Sequence, residues 1–139
     1  MGMSSAGVTT LQTDRRWTTL INDGTIKCWG SNSSGQLGDG TNINSLLPVT
    51  VKSQKFFVGV AAGDSHTCGL DSLGDVYCWG DNSFGELGIG NKMMRSLPSL
   101  VLGISKVKSI SARFNNTCAV TEAGNGNCWG EGGAGQLGN

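Results

Sequence analysis

The sequence predicts an all-β chain of about three four-stranded propeller blades, the last of them incomplete. Three observations predict it. The tripeptide CWG recurs at Cys28-Trp29-Gly30, Cys78-Trp79-Gly80 and Cys128-Trp129-Gly130, fifty residues apart both times. A fixed period of that length marks an array of one supersecondary unit. Glycine supplies 23 of the 139 residues against only two prolines, with no G-X-Y period, which signals many tight turns. Short apolar, β-branched runs alternate with those turns, and no segment shows helical periodicity.

The copies hold register beyond the tripeptide. The strings CWGSNSSGQLG, CWGDNSFGELG and CWGEGGAGQLG agree at six of eleven positions. Leu47-Pro48 matches Leu97-Pro98, and Thr67-Cys68 matches Thr117-Cys118. The second copy gives the elements in order. Residues 56–62 (FFVGVAA) form a first strand, broken by Gly63-Asp64-Ser65. HTCGL at 66–70 is a second strand, Ser72-Leu73-Gly74 a turn, and DVYCWG a third strand. A glycine-rich loop, DNSFGELGIGN, leads to an outer strand at 97–101, with Pro98 where an edge tolerates it. Four short strands per repeat describe a blade. Within one domain (1–139), blades are expected at about 4–53, 54–103 and 104–139; the third lacks the segment matching 90–101 of the second.

The string Trp29-Gly30-Ser31-Asn32-Ser33-Ser34-Gly35-Gln36-Leu37-Gly38 resembles the signature of RCC1-type (regulator of chromosome condensation) repeats, and the accompanying G-x-x-H-T-x-x-L pattern is matched by Gly63, His66, Thr67 and Leu70. The resemblance covers nearly the whole chain. It implies a seven-bladed propeller used mainly as a protein-binding platform. Members of the family include a nucleotide-exchange factor for a small GTPase, a plant ultraviolet receptor and secreted inhibitors of β-lactamase. Two departures stand out. The first copy has TDRRWT (13–18) where the second has GDSHTC, and the third has Arg113-Phe114-Asn115-Asn116 in place of Gly63-Asp64-Ser65-His66. Propellers close with about four to eight blades. An open stack would leave an unpaired edge and an apolar face. Either the chain is a piece of a longer product or several chains assemble to close the ring; the favoured expectation is a homo-oligomer, a dimer of six blades.

The five cysteines are Cys28, Cys68, Cys78, Cys118 and Cys128. Cys68 with Cys78, and Cys118 with Cys128, sit symmetrically about a turn, so each pair would be directly opposed in a hairpin. Opposed residues lie within the reach of a disulfide. The other reading, small buried thiols packed between strands, stays open. In the first copy Thr18 occupies the partner position, which leaves Cys28 odd. Oxidised pairs would favour an extracellular location, though MGMSSAGVTT shows no basic segment followed by an apolar one.

The search for chemistry points away from catalysis. His66 is the only histidine, and it stands at the position the repeat pattern reserves for it, where it is expected to stabilise the inner loop. No nucleophile elbow, Walker loop or dinucleotide fingerprint occurs. No CxxC pair or calcium loop suggests a metal. No cofactor is expected. Ten basic and ten acidic residues cancel without clustering, which weighs against a nucleic-acid partner. No run of eighteen apolar residues suggests a membrane span. Asn32-Ser33-Ser34 and Asn115-Asn116-Thr117 fit glycosylation sequons.

Trp29, Trp79 and Trp129 recur with the repeat and read as packing residues. The turns between first and second strands vary most. They carry Arg15, Arg16 and Trp17, then Asp64 and His66, then Phe114 and Asn115. In a propeller these turns gather at one end, and aromatics with arginine are the types enriched at binding hot spots. Trp17 and Phe114 packed between blades is the competing reading. The expectation is a non-catalytic protein-interaction module, a secreted binder or inhibitor. The alternatives are an exchange-factor-like regulator of a small GTPase and a self-assembling structural fragment.

Overall fold

The computed structural model describes residues 2–5, 8–13 and 15–131, with backbone alone at 2–5, 8, 9 and 13. Asp14 and the third GQLG segment therefore lie outside the described residues. The described chain is all β, in three antiparallel sheets. Blade 1 is β1 (Gly2–Ser5), β2 (Val8–Thr13), β3 (Arg16–Leu20), β4 (Ile26–Gly30) and β5 (Ser45–Thr50), side by side in chain order. Blade 2 is β6 (Phe57–Ala62), β7 (His66–Asp71), β8 (Val76–Gly80) and β9 (Arg95–Leu100). Blade 3 shows β10 (Val107–Arg113), β11 (Asn116–Thr121) and β12 (Gly126–Gly130). The strands of the second copy fall within a residue or two of their expected places. The fifth strand of blade 1 goes beyond the four that the repeat predicts. This strand, β1, pairs Gly2 with Leu11 and Ser5 with Val8, which extends the sheet at its inner edge.

Alternation along each strand gives a blade two faces, one toward the preceding blade (front) and one toward the next (back). Ile26, Cys28, Leu37 and Val51 on the back of blade 1 pack against Phe57, Val60, Tyr77 and Trp79 on the front of blade 2. Cys68, Leu70, Val76, Cys78, Leu87 and Val101 on the back of blade 2 pack against Val107, Ile110, Ala119 and Trp129 of blade 3. Blade 2 is covered on both sides, so every residue of β7 is buried, whereas β3 and β11 are buried in part. The outer strands β5 and β9 leave Leu46, Leu47 and Leu97 exposed. Each carries a proline (Pro48, Pro98), a residue type that blunts edge-to-edge pairing.

The repeat signature explains the long loop. Asn32 Oδ1 accepts from the Leu37 amide at 2.9 Å, while its Nδ2 donates to the Thr41 and Ile43 carbonyls. Asn82 does the same with Leu87, Asn91 and Met93. One side-chain amide thus replaces the backbone partners that the loop lacks. The glycine after each tryptophan is required by a close approach: at Gly30 (φ 110°) a Cβ would meet the Arg15 carbonyl oxygen at 2.2 Å.

Candidate functional site: the inter-strand turns and blade junctions

Each junction between blades is built from the signature residues. Trp79 Nε1–H and Thr67 Oγ1–H of blade 2 both donate to the Gln36 carbonyl of blade 1, at 3.0 Å each. The indole lies on Gly38, where a Cβ would come within 2.6 Å of Nε1. At the next junction Thr117 Oγ1–H donates to the Glu86 carbonyl at 2.7 Å, and Trp129 lies on Gly88. Threonine, tryptophan and the GxLG glycine thus form one docking device, used twice. Burial pushes the Glu86 carboxyl above its ordinary range.

Arg16 and His66 occupy the same repeat position, and each reaches the following blade. Arg16 Nη2 donates to the carbonyls of Gly63 (3.0 Å) and His66 (2.8 Å). Thr117 spends its hydroxyl hydrogen on Glu86, so His66 donates from Nε2 to Thr117 Oγ1 at 2.8 Å. That leaves Nδ1 as an unpartnered acceptor. Burial above all, with the Arg16 charge second, lowers the His66 pKa to about 4, so the ring is neutral at neutral pH. Burial also lowers the Arg16 pKa to about 10, still well above neutral. The pairing of glycine with histidine in the signature has a steric cause. A Cβ on Gly63 would meet the His66 ring at 2.2 Å and the Phe114 carbonyl at 2.6 Å.

The seven residues singled out in the turns divide by burial. Arg16 and His66 are about 1% or less exposed, so their side chains are not at a partner-facing surface. Their polar groups serve the junctions instead, a use their residue types did not announce. Trp17 is half-buried and stacks on Trp29, with ring centroids 6.0 Å apart and planes within 9°. Arg15 is exposed in the left-handed region (φ 60°). Asn115 is half-buried at a turn, and its carbonyl accepts from the Glu131 amide. Asp64 and Phe114 are exposed and adjacent, because the Asp64 amide donates to the Phe114 carbonyl at 3.0 Å.

Together with Gln12 of blade 1, Asp64 and Phe114 line a shallow pocket of about 240 Å³ that spans the turn ends of all three blades. Arg113 completes the cluster, its guanidinium 4.9 Å from the centroid of the Phe114 ring. Phe114 is 53% exposed and held at φ 52°, a region a bulky residue rarely adopts. Arg113 lies outside the set of contacts that the turns suggest; its place in sequence directly before Phe114 is the signal that could have found it.

The cysteines form two cross-strand disulfides, Cys68–Cys78 and Cys118–Cys128, each joining directly opposed residues with Cα atoms 4.1 Å apart. In blade 1 Thr18 faces Cys28, and the buried thiol donates to Thr18 Oγ1 at 3.3 Å. Burial raises the Cys28 pKa to about 11, so the thiol is protonated and unreactive. The sequon at Asn32 is sealed, since that amide is buried and fully engaged in the loop.

Comparison with known proteins agrees with this architecture. The chain resembles Prp20p from Saccharomyces cerevisiae, a protein with binding properties to Gsp1p and histones, at 23% identity and a TM-score of 0.83 over 93% of this chain and 34% of that one. Human WBSCR16 is similar at 24% identity and a TM-score of 0.80, over 94% of this chain and 36% of that one. Yeast RCC1 (Prp20) bound to Kap60 aligns at 24% identity and a TM-score of 0.75, over 88% and 32%. The chain thus spans about a third of the length of these three solved structures. No curated protein matches the sequence closely enough to count as a relative. The profile of the regulator of chromosome condensation (RCC1) repeat matches residues 23–70 and 74–120, and a second profile of that repeat matches 57–86. The chain belongs to the RCC1 repeat family.

Proposed function

We propose that this protein is a non-catalytic protein-binding module whose contact face is the turn end of its blades, centred on Phe114. The observation that carries the reading is the exposed phenylalanine at positive φ, fixed by the Asp64 amide and flanked by Arg113 over a shallow pocket. Backbone outliers persist where the surroundings over-determine them, and they gather at binding sites. Phenylalanine and arginine are both residue types enriched at protein interfaces. The similar yeast protein, which binds Kap60, Gsp1p and histones, lends the same reading a precedent. Arg15, Asp64 and Asn115 belong to the rim of that face.

Affinity capture with the wild-type chain against Phe114→Ala and Arg113→Ala tests it. Partner bands should vanish with both variants while near-ultraviolet circular dichroism stays unchanged. Loss of fold in both would return Phe114 to a packing role.

Secretion as a binder or inhibitor is the finer form of the proposal, and the two cross-strand disulfides support it. Thiol titration of the purified, denatured and unreduced protein should find one thiol, Cys28; five would remove this form. Exchange activity toward a small GTPase is the competing regulatory role, read directly as release of labelled nucleotide. Self-association into a six-bladed dimer is independent of both, and light scattering decides it.

A further inference from the structure

The front of blade 1 keeps the junction tryptophan, Trp29, and differs from the other fronts at the positions around it. Position 17 is tryptophan where Thr67 and Thr117 donate to the preceding blade's carbonyl. Its indole stacks on Trp29, the residue whose counterparts Trp79 and Trp129 lie on the preceding blade's glycine. Trp17 therefore occupies the place over Trp29 that a preceding GxLG loop takes at the other two junctions. Position 19 is threonine where blades 2 and 3 have Gly69 and Ala119. At Gly69 even a Cβ would come within 3.1 Å of Ile26 in the preceding blade.

The rest of this face has a solvent-facing chemistry. Thr10 stands where Val60 and Ile110 pack, and its hydroxyl lies 3.3 Å from that of Thr19. Lys27 stands where blade 2 has Tyr77 and blade 3 has Asn127, and it donates to Thr50 Oγ1 at 2.8 Å. Burying the Thr10 and Thr19 hydroxyls against the apolar back of another blade would cost free energy that Val60 and Gly69 do not cost. Two further observations agree. The inner edge of blade 1 alone carries an extra strand, β1, and the repeat-profile match begins only at residue 23, after β3. Terminal repeats of solenoid arrays carry a polar outer face for the same physical reason.

We propose that the front of blade 1 is a terminating face, closed to the docking mode that joins blade 1 to 2 and blade 2 to 3. A second copy of this chain would offer on its blade 1 a front with Trp17 and Thr19 in place of Thr67 and Gly69.

The test restores the repeat pattern in the full chain with Trp17→Thr, Thr19→Gly and Lys27→Tyr combined. Wild type should scatter as one chain per particle across a hundredfold range of concentration. The triple variant should form particles of two or more chains. Added wild type should shorten them, because it offers a back face but no front, and equimolar wild type should bring the mean mass at least halfway to the monomer's. Wild type that closes rings by itself overturns the proposal. So does a variant that stays monomeric while far-ultraviolet circular dichroism shows native strand content. A variant that does not fold is replaced by Trp17→Thr alone, for which loss of the Trp17–Trp29 exciton band without any gain of association is the overturning result.

Discussion

Blades 1 and 2 are written on the same fifty-residue template and differ in how many neighbours they serve. Blade 2 is enclosed on both faces, and its template positions are all in use: Trp79 on Gly38, Thr67 on the Gln36 carbonyl, a disulfide within the sheet. Blade 1 keeps the back-face half of the template, Cys28 with Leu37 and Ile26, and on its front keeps Trp29 but has Trp17 and Thr19 where blade 2 has Thr67 and Gly69. A repeat signature therefore mixes two kinds of residue. Those that fold the blade's own loop, such as Asn32 and Asn82, are retained in both. Those that join blades change where the joint changes.

Truncating equivalent tryptophans should show the contrast at its largest. Trp79 is fully buried, and Trp79→Ala should cost about 3–5 kcal/mol through the cavity and the lost bond to Gln36. Trp29 is half-buried at the terminal face, and Trp29→Ala should cost roughly 1–2 kcal/mol. Denaturant unfolding measures both. Equal losses would mean that the front of blade 1 is as enclosed as that of blade 2.

Next in size is the acid response of His66. Its folded pKa, about 4, lies below the ordinary 6.5, so folding favours the neutral ring. The resulting stabilisation is complete above pH 6.5 and is lost as pH falls from there toward 4, up to about 3 kcal/mol in all. Arg16 at the same position of blade 1 stays charged across that window, so the acid sensitivity belongs to the junction of blades 2 and 3. His66→Gln should flatten the profile of unfolding midpoint against pH between 6.5 and 4, even if it lowers the whole curve.

The sheet cysteines give the third comparison. Thr18 faces Cys28 as Cys68 faces Cys78, so Thr18→Cys should close a third cross-strand bridge. A loop of this length should add about 2–3 kcal/mol, and the titratable thiol count should fall from one to none. A retained pair of thiols would mean that the terminal blade holds these strands differently from the middle one.

What was legible in the sequence follows the same division. Strands, turns and the opposed cysteines are local in chain, so the alternation and the symmetry of Cys68 and Cys78 about their turn were enough to place them. The junctions are set by residues far apart in sequence. Arg16 reads as a charged turn residue because nothing local says that the Gly63 and His66 carbonyls surround it. His66 is identified by the repeat pattern, yet its partner Thr117 lies in the next copy, 51 residues away. Of the candidate contact face, Phe114 and Asp64 are recoverable by comparing copies, while the pairing that fixes them, amide to carbonyl across two blades, leaves no trace in residue type.

The smallest expected difference separates the two junction threonines, and it tests the shared device most closely. Thr67→Val and Thr117→Val are near in shape, so packing is preserved and only hydroxyl bonds are lost. At the first junction the Gln36 carbonyl keeps a second donor in Trp79 Nε1, and Thr67→Val should cost about 0.5–1.5 kcal/mol. At the second, Thr117 is donor to Glu86 and acceptor for His66, while the Trp129 indole N–H is buried without a partner. Thr117→Val therefore strands a buried carbonyl and a buried ring N–H together, at about 2–3 kcal/mol. Urea midpoints of the two variants at neutral pH measure the gap, about 1 kcal/mol or more. The gap should narrow in a His66→Gln background, because one of the two stranded groups is then a flexible amide. Equal costs in the wild-type background would show that the junctions share their hydrogen bonding as fully as they share their sequence.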